Sequence, residues 1–278
     1  LNKPEEILSF LKQSYPNIES FFTPFELGDI HIKYVIENLG HFNIKNAPSH
    51  IIGDAFQTLV GPNLRGDKGQ FFTPKTVVAA LIKILSPKTT DVICDPACGT
   101  GGFLIESVSQ FFNKNEKYNG ELIGIEKDDF LANTANAILE IYTKENFKVL
   151  NENSLDIDNP RLKELLGTID IVVTNPPFGA KIGINDKNIL KNFDFGYSWI
   201  FNNEKNIYSK TKQILKEQSP QILFLELCLK LLKDGGKAAI VLPEGIFGNK
   251  GLGFIWDYLR DKARILAMID CPRTLFQP

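Results

Sequence analysis

The segment DPACGTGGF (95–103) combines a carboxylate with a cluster of glycines. Asp95 ends an apolar stretch, and three of the four positions from 99 to 102 are glycine. Such a loop between a strand and a helix lets the backbone turn tightly and approach a ligand, whereas an ordinary turn needs one glycine. A P-loop would have Lys and Ser or Thr where Phe103 and Leu104 stand, and the dinucleotide pattern would need glycine in place of Leu104. The segment therefore predicts a ligand-binding loop of another kind.

Two more acidic residues follow later stretches of strand-like sequence. Glu126 comes 31 residues after Asp95, and Asp156 closes the segment NSLD (153–156). A carboxylate at Asp95 suits the cationic amino-acid part of S-adenosyl-L-methionine, and Glu126 could accept the two hydroxyls of its ribose. Asp156 is placed to meet the adenine, although Glu126 could be a surface acid and Asp156 an acid at the start of the next helix. The set favours S-adenosyl-L-methionine over NAD or ATP.

The segment TNPPFG places two consecutive prolines directly after an apolar run. Pro176 and Pro177 do not suit a central strand, so they predict a rigid turn at the carboxyl edge of a sheet, where ligands bind. The Asn175 side-chain oxygen and a backbone carbonyl fixed by the prolines would give two converging acceptors beside the ring of Phe178. This trio suits a planar amine, and a base of duplex DNA would have to be flipped out to reach it. A simple strand terminator is the alternative interpretation.

Strands and helices alternate from residue 74 onward. Apolar runs predict six strands, at 91–95, 121–126, 147–151, 169–175, 237–243 and 264–270. The first helix is predicted over 74–86 with Thr73 as its N-cap, and the helix before the fifth strand is predicted to close at Gly235 and Gly236. Strict alternation predicts an α/β fold with a parallel, doubly wound sheet.

Residues 1–62 show a different pattern, with the apolar spacing of helices and no convincing strand. Pro16, Gly40 and Pro48 are among the breakers that divide this part into helical segments. We expect a small N-terminal helical domain over 1–62, followed by the α/β domain over 63–278.

The composition excludes several classes of protein. The chain has 278 residues, a formal net charge of −2 and 43% hydrophobic residues, which argues against disorder and against coating nucleic acid by bulk charge. No stretch reaches the roughly 18 apolar residues of a membrane span, and the N-terminus has no signal-peptide pattern. We therefore expect a cytoplasmic protein with no membrane partner. The four cysteines lack metal-ligand spacing, so no metal site is expected.

A local surplus of positive charge lies in the segment 181–217, which holds seven lysines against four acidic residues. The same segment is rich in aromatic residues, among them Phe193, Phe195, Tyr197, Trp199 and Phe201. One interpretation is a solvated loop with a few buried aromatics. The other is a flap that faces DNA beside Asn175, with lysines on phosphates and aromatics near the flipped base.

The order of these motifs resembles one family of enzymes. The segments GQFFTPK (69–75), DPACGTGGF (95–103), IE (125–126), NSLD (153–156) and NPPF (175–178) are similar to those of gamma-class N6-adenine DNA methyltransferases. The closest resemblance is to the modification subunits of type I restriction–modification systems. It implies a Rossmann-like, S-adenosylmethionine-dependent methyltransferase sheet, DNA as the substrate, and a specificity subunit and a restriction subunit as partners.

The resemblance also implies a role for each motif residue. The methionine end of the cofactor would be lined by Phe72, Thr73 and Pro74. The other cofactor contacts would come from Asp95, Gly99 and Gly101 to the amino-acid part, Glu126 to the ribose and Asp156 to the adenine. The flipped adenine would be held by Asn175, Pro176, Pro177 and Phe178. Such subunits complete their sheet with one further antiparallel strand, so we expect the domain at 63–278 to lack its last strand.

Two other functions remain open from the sequence. A protein glutamine N5-methyltransferase also uses an Asn-Pro-Pro-aromatic turn, but it typically has Tyr after the prolines and no FFTP segment before the glycine loop. A non-catalytic module that binds the cofactor and docks a partner is the second alternative. Loss of transfer on replacing Asn175 would separate an enzyme from such a module.

Overall fold

The structure, a computed structural model, describes residues 9, 13, 28–41, 73–112, 117–143, 146–177, 183–272 and 275. The strands of these residues are β1 (Val92–Asp95), β2 (Glu121–Glu126), β3 (Phe147–Asn151), β4 (Ile169–Thr174), β5 (Tyr197–Asn202), β6 (Ile207–Ile214) and β7 (Leu232–Ile240). The α-helices are α1 (Asp29–Leu39), α2 (Lys75–Leu85), α3 (Gly102–Phe112), α4 (Asp129–Thr143), α5 (Pro160–Lys163), α6 (Lys187–Leu190), α7 (Pro220–Leu231), α8 (Gly245–Gly248) and α9 (Gly253–Lys262).

Five strands form one parallel sheet in the order β3-β2-β1-β4-β7. The chain runs outward from β1 through β2 to β3, and then returns to the other side of β1 to form β4 and β7. Ligands bind at such a switch point, at the carboxyl edge of the sheet. Ile93 lies in register with Ile171, and Cys94 with Val172. Asp95 at the end of β1 and Asn175 just after β4 therefore reach the same edge.

Helices cover both faces of the sheet, as the doubly wound prediction requires. On one face, α2, α3 and α4 bury residues such as Ile82, Leu104 and Ile138 against the strands. On the other face, α7 and α9 bury residues such as Leu223 and Ile255. Successive residues of a strand point to opposite faces, so both layers are fixed to the same strands. The predicted fold class is confirmed for the α/β part.

The first four predicted strands are confirmed, but the helix before β7 ends earlier than predicted. Helix α7 ends at Leu231, and Gly235 and Gly236 lie in β7 instead of closing the helix. Leu232 pairs with Ile169 and Lys237 with Ile171, so residues 233–236 bulge out of the ladder. Gly235 has a φ of 77° in this bulge. The glycines therefore allow the bulge. The same pair of glycines is also typical of a helix C-terminus, which explains the wrong prediction.

The predicted sixth strand, 264–270, is not formed. Residues 263–272 have neither helix nor strand, and the side chains of Leu266, Met268 and Ile269 are exposed. Within the part of the chain that the structure describes, no strand pairs with the free edge of β7. A strand needs a neighbour to accept its backbone hydrogen bonds, so the apolar pattern alone led to a wrong prediction.

The lysine-rich segment contains an antiparallel hairpin, β5–β6, that was not predicted. Trp199 of β5 stacks on Phe254 of α9, with ring centroids 5.5 Å apart. Phe193 and Phe195, just before the hairpin, are buried in the core. The hypothesis that the aromatics of this segment lie near a flipped base is therefore wrong for these two. Phe201 at the tip of β5 is 44% exposed.

A buried carboxylate holds the turn that precedes the hairpin. Glu226 of α7 is fully buried and accepts the backbone N–H groups of Asp194 and Phe195, both at 2.8 Å. Lys230 Nζ lies 3.2 Å from the Oε1 of Glu226. Burial raises the pKa of Glu226, and the two N–H donors and Lys230 oppose that shift. The bonds to Glu226 join the hairpin to α7.

The predicted N-terminal domain is described only in part. Helix α1 matches one of its predicted helical segments. The other segments and the boundary at 62 lie outside the described residues, so the division at 62 and 63 stays a prediction. No helix among the described residues is long and apolar enough to cross a membrane.

Candidate active site

The loop between β1 and α3 turns at two glycines with positive φ. Gly99 has a φ of 54° and Gly101 a φ of 85°. Residues with a Cβ are strained in this region, which explains glycine at both positions. The Gly101 N–H donates to the Cys98 carbonyl at 2.8 Å, and the Cys98 N–H donates to the Ile125 carbonyl at 3.1 Å. The predicted strand–loop–helix arrangement is confirmed, and its ligand stays a prediction.

Replacing Gly101 by alanine is expected to lower the free energy of unfolding by about 1–2 kcal/mol, measured by urea denaturation. An added Cβ would lie 3.6 Å from the Ala135 Cβ, an ordinary contact, so backbone strain causes the loss. Gly102→Ala is the matched control, because Gly102 begins α3 with no atom within 4 Å of an added Cβ. Alanine should be neutral or stabilising there. An equal loss in both variants would contradict the explanation.

Gly124 of β2 supports the loop, and the sequence analysis missed it. A Cβ at this position would lie 2.8 Å from the Cys98 Sγ and 3.2 Å from the Leu104 Cδ1. Cys98 is buried at this contact. A glycine inside a strand often indicates that another segment approaches the backbone closely, so the sequence did contain a signal of this contact. Gly124 lets the glycine loop lie directly on β2.

Asp95 is a buried acid at the carboxyl end of β1. It is 1% exposed, and its Oδ1 accepts the Ala97 N–H at 3.0 Å. Burial raises the pKa of Asp95 to about 7, although the nearby Thr174 side chain and the hydrogen bond from Ala97 favour the charged form. Among the described residues, no lysine or arginine forms an ion pair with it. A buried carboxyl without a cation is suited to the cationic group of a ligand.

Glu126 at the end of β2 joins the glycine loop to the start of α4. Its Oε2 accepts the Gly99 N–H at 3.0 Å, and its Oε1 accepts the Asp128 N–H at 2.9 Å. Asn151, at the end of β3, donates from Nδ2 to the Glu126 carbonyl at 3.1 Å. Each carboxylate oxygen has a further lone pair, so Glu126 could still accept two ribose hydroxyls.

Asp156 lies in an exposed turn after β3, at the same edge of the sheet. The alternative that it serves the start of the next helix is wrong, because Asn159 caps α5. Ser154, which the sequence analysis missed, is buried and donates its hydroxyl to the Pro96 carbonyl. This bond holds the NSLD segment against the glycine loop.

Asn175 directly follows β4, and its amide contacts the FFTP segment. Its Nδ2 donates to the Thr73 Oγ1 at 2.9 Å. Its Oδ1 is buried and has no hydrogen-bond partner among the described residues. Pro176 is buried and Pro177 exposed. Two predicted site residues, Phe72 and Phe178, lie outside the described residues.

Thr73 does not cap α2, as the sequence had suggested. The helix begins at Lys75 with Pro74 in the N-cap position and no side-chain cap. The Thr73 hydroxyl instead accepts the hydrogen bond from Asn175. This contact places the end of the FFTP segment at the carboxyl edge of the sheet.

The arrangement places two kinds of binding group at the switch point. The ends of β1 and β2 carry two acids, Asp95 and Glu126, which could bind a cationic group and ribose hydroxyls of a ligand. The end of β4 carries a free acceptor, Asn175 Oδ1, for a hydrogen-bond donor. In the described part of the chain, no cluster of three His, Cys, Asp or Glu residues is placed to hold a metal ion.

The chain is similar to methylase subunits of type I restriction enzymes. It is 27% identical over 259 residues to the EcoEI methylase subunit of Escherichia coli. It is 28% identical over 244 residues to the EcoKI methylase subunit of Escherichia coli strain K12. These matches cover 89% and 81% of this chain but 48% and 41% of the relatives. The chain thus spans less than half the length of these relatives.

Solved structures show the same fold. A type I restriction-modification methyltransferase subunit from Streptococcus thermophilus matches with a TM-score of 0.71 and 21% identity, over 91% of this chain and 56% of that chain. A Listeria monocytogenes protein assigned to the class I S-adenosylmethionine-dependent methyltransferases matches with a TM-score of 0.69 and 21% identity, over 89% and 69%. The sequence model of the N-6 DNA Methylase family matches residues 47–278, which include all the site residues above. The chain therefore belongs to the N-6 DNA Methylase family.

Proposed function

We propose that this chain transfers a methyl group from S-adenosyl-L-methionine to the N6 amine of a flipped-out adenine in DNA. It acts as the modification subunit of a restriction–modification system, with a specificity subunit and a restriction subunit as partners. The observation that carries the proposal is the buried, unpartnered Oδ1 of Asn175, at the edge of the sheet where Asp95 also lies. Membership of the N-6 DNA Methylase family supports DNA as the substrate.

The residues at the ends of β1 and β2 fit the cofactor. Asp95 is buried without a cation and would hold the cationic amino-acid part. Glu126 would hold the ribose, and Asp156 the adenine. Gly99 has no side chain, and an added Cβ would have no atom within 4 Å, so this position leaves room for the ligand. When bound, S-adenosyl-L-methionine supplies an electrophilic methyl group.

The turn after β4 would bind and orient the target amine. Asn175 Oδ1 and the Pro176 carbonyl would accept its two hydrogens, and Pro177 restricts the backbone beside them. Two such acceptors draw the hydrogens out of the plane of the base and localise the nitrogen lone pair. Neither a covalent nucleophile nor a strong base is needed, because the proton can leave after the new bond forms. Positioning would supply most of the rate, with Phe178 stacked on the base.

Methylome sequencing tests this function. A host would carry the full-length protein with or without its genomic neighbours. We expect N6-methyladenine within a split or palindromic motif when the neighbours are present, and its loss when the specificity subunit alone is deleted. Absence of N6-methyladenine in both hosts, with methylated glutamine in a release factor, would contradict the proposal in favour of a protein glutamine methyltransferase.

The hairpin β5–β6 and the residues directly after it would contribute to DNA affinity through three exposed lysines. It belongs to the connection that leaves the carboxyl end of β4 just after Asn175, and Tyr208 of β6 packs near Gly253 at the start of α9. Lys210 pairs with Asp194, whereas Lys205, Lys212 and Lys216 are exposed and form no ion pair with a described residue. These three lysines would contact phosphates.

Replacing these three lysines together by glutamine is expected to weaken DNA binding by the assembled complex. The slope of log affinity against log salt should become shallower by up to about 3, because each lost phosphate contact removes about one unit. Fluorescence anisotropy across a salt series measures both quantities. The matched control replaces Lys83, Lys88 and Lys163, which are exposed near the amino edge of the sheet. An equal change of slope in both triple variants would contradict a specific role of the hairpin.

A further inference from the structure

The hydrogen bond between Thr73 and Asn175 joins two segments far apart in the chain. Thr73 precedes α2, and Asn175 follows β4. The Asn175 Nδ2 donates to the Thr73 Oγ1 at 2.9 Å, and no other hydrogen bond of the Asn175 side chain is formed with a described residue. Thr73 is therefore the one described side chain that holds this amide by a hydrogen bond.

The two ends of an amide have opposite hydrogen-bonding character. The oxygen accepts hydrogen bonds, and the nitrogen only donates them. An exocyclic amine that points its hydrogens at this turn needs the amide oxygen of Asn175 as an acceptor. If the amide were rotated by half a turn, its own NH2 group would face the NH2 group of the amine, and neither could accept a hydrogen bond. In the structure the Thr73 hydroxyl accepts from the nitrogen, and the oxygen is directed away from Thr73 with no partner among the described residues.

We infer that Thr73 is a positioning residue that holds Asn175 with its Oδ1 toward the target amine. The inference rests on the proposed function. It gives Thr73 a role different from lining the methionine end of the cofactor, as the resemblance implied. A residue with this role should affect the transfer step and leave cofactor binding unchanged.

The test compares Thr73→Val, Thr73→Ala and Thr73→Ser in the full-length protein assembled with its specificity subunit. Valine keeps the shape and removes the hydroxyl, alanine removes the hydroxyl without adding bulk, and serine keeps the hydroxyl. We expect kcat for methyl transfer to fall about 10–100-fold with valine and alanine and to stay within about threefold with serine. The Kd for S-adenosyl-L-methionine, measured by calorimetry, should change less than about threefold in all three variants.

Two results would overturn the inference. A raised Kd for the cofactor with kcat unchanged would assign Thr73 to the cofactor site. Wild-type kcat in both valine and alanine variants would show that the hydroxyl does not orient Asn175. Thermal unfolding identifies a misfolded variant. If the valine variant does not fold, the kcat of the alanine variant tests the inference in its place. Failure of the wild-type complex to methylate DNA would instead contradict the proposed function, so the two failures are distinguishable.

Discussion

Replacing Asn175 by alanine is expected to reduce methyl transfer to DNA about 1000-fold and to leave the affinity for S-adenosyl-L-methionine unchanged. The side chain supplies a buried acceptor just after β4, its Oδ1, which has no partner among the described residues. Removal of a single preorganised polar group from an active site costs about 10²–10³ in rate, and the loss of orientation adds to this. Single-turnover transfer from tritiated cofactor and calorimetric titration of the cofactor measure the two quantities.

Asn188→Ala is the matched control for this prediction. Asn188 lies on the exposed side of α6, so its replacement should leave transfer unchanged. Residual transfer by Asn175→Ala equal to that of the control would contradict the proposed role of Asn175. A parallel loss of cofactor affinity would place Asn175 in the cofactor site instead.

Replacing Asp95 by asparagine is expected to weaken cofactor binding about 100-fold. Asparagine keeps the shape of the side chain and removes the charge that would hold the cationic amino group. A hydrogen bond to a charged group contributes about 1.5–3 kcal/mol. Asp234→Asn in the exposed 233–236 bulge is the control and should bind the cofactor normally. Equal affinity of the two variants would show that Asp95 does not contact the amino group.

The raised pKa of Asp95 predicts the pH dependence of both binding and stability. With a pKa of about 7 in the unliganded protein, affinity should rise about tenfold per unit from pH 5 to 7 and then level off. Between the ordinary pKa of 3.8 and about 7, the folded protein binds more protons than the unfolded chain. Stability from this group is therefore present at low pH and is lost as the pH rises through 7.

Thermal unfolding without cofactor checks the sign of this effect. Relative to Asp95→Asn, the wild-type protein should gain melting temperature when the pH falls from 8 to 6. Calorimetric titrations of the cofactor from pH 5 to 7 should show a steep dependence of affinity for the wild type and a flat one for the variant. The same pH dependence in both proteins would contradict the assignment to Asp95.

Features that depend on neighbouring residues could be predicted from the sequence. The glycine loop follows from Asp95, Gly99 and Gly101 because a strand, a sharp turn and a helix are adjacent in the chain. The turn at Asn175 follows from two prolines in the same way. The parallel sheet follows from the alternation of strands and helices, because few arrangements satisfy that order.

Contacts between distant segments could not be predicted in the same way. Thr73 looks like a helix cap when only its neighbours are considered, but its hydroxyl contacts Asn175 across the site. Ser154 carries no local signal of its bond to Pro96. The segment 264–270 has strand-like residues and no pairing partner among the described strands, so composition alone could not decide its state.

The pairing of β1 with β4 sets the spacing of the proposed cofactor and target sites. Strands in a ladder lie about 4.8 Å apart, and backbone hydrogen bonds hold that separation. Asp95 and Asn175 extend from two strands that pair directly, so the distance from donor to acceptor does not depend on the long crossover between them. Longer connections at the amino edge of the sheet should therefore change the size and the surface of the protein without changing the distance between Asp95 and Asn175. The same pair of residues could therefore serve complexes that differ widely outside the sheet.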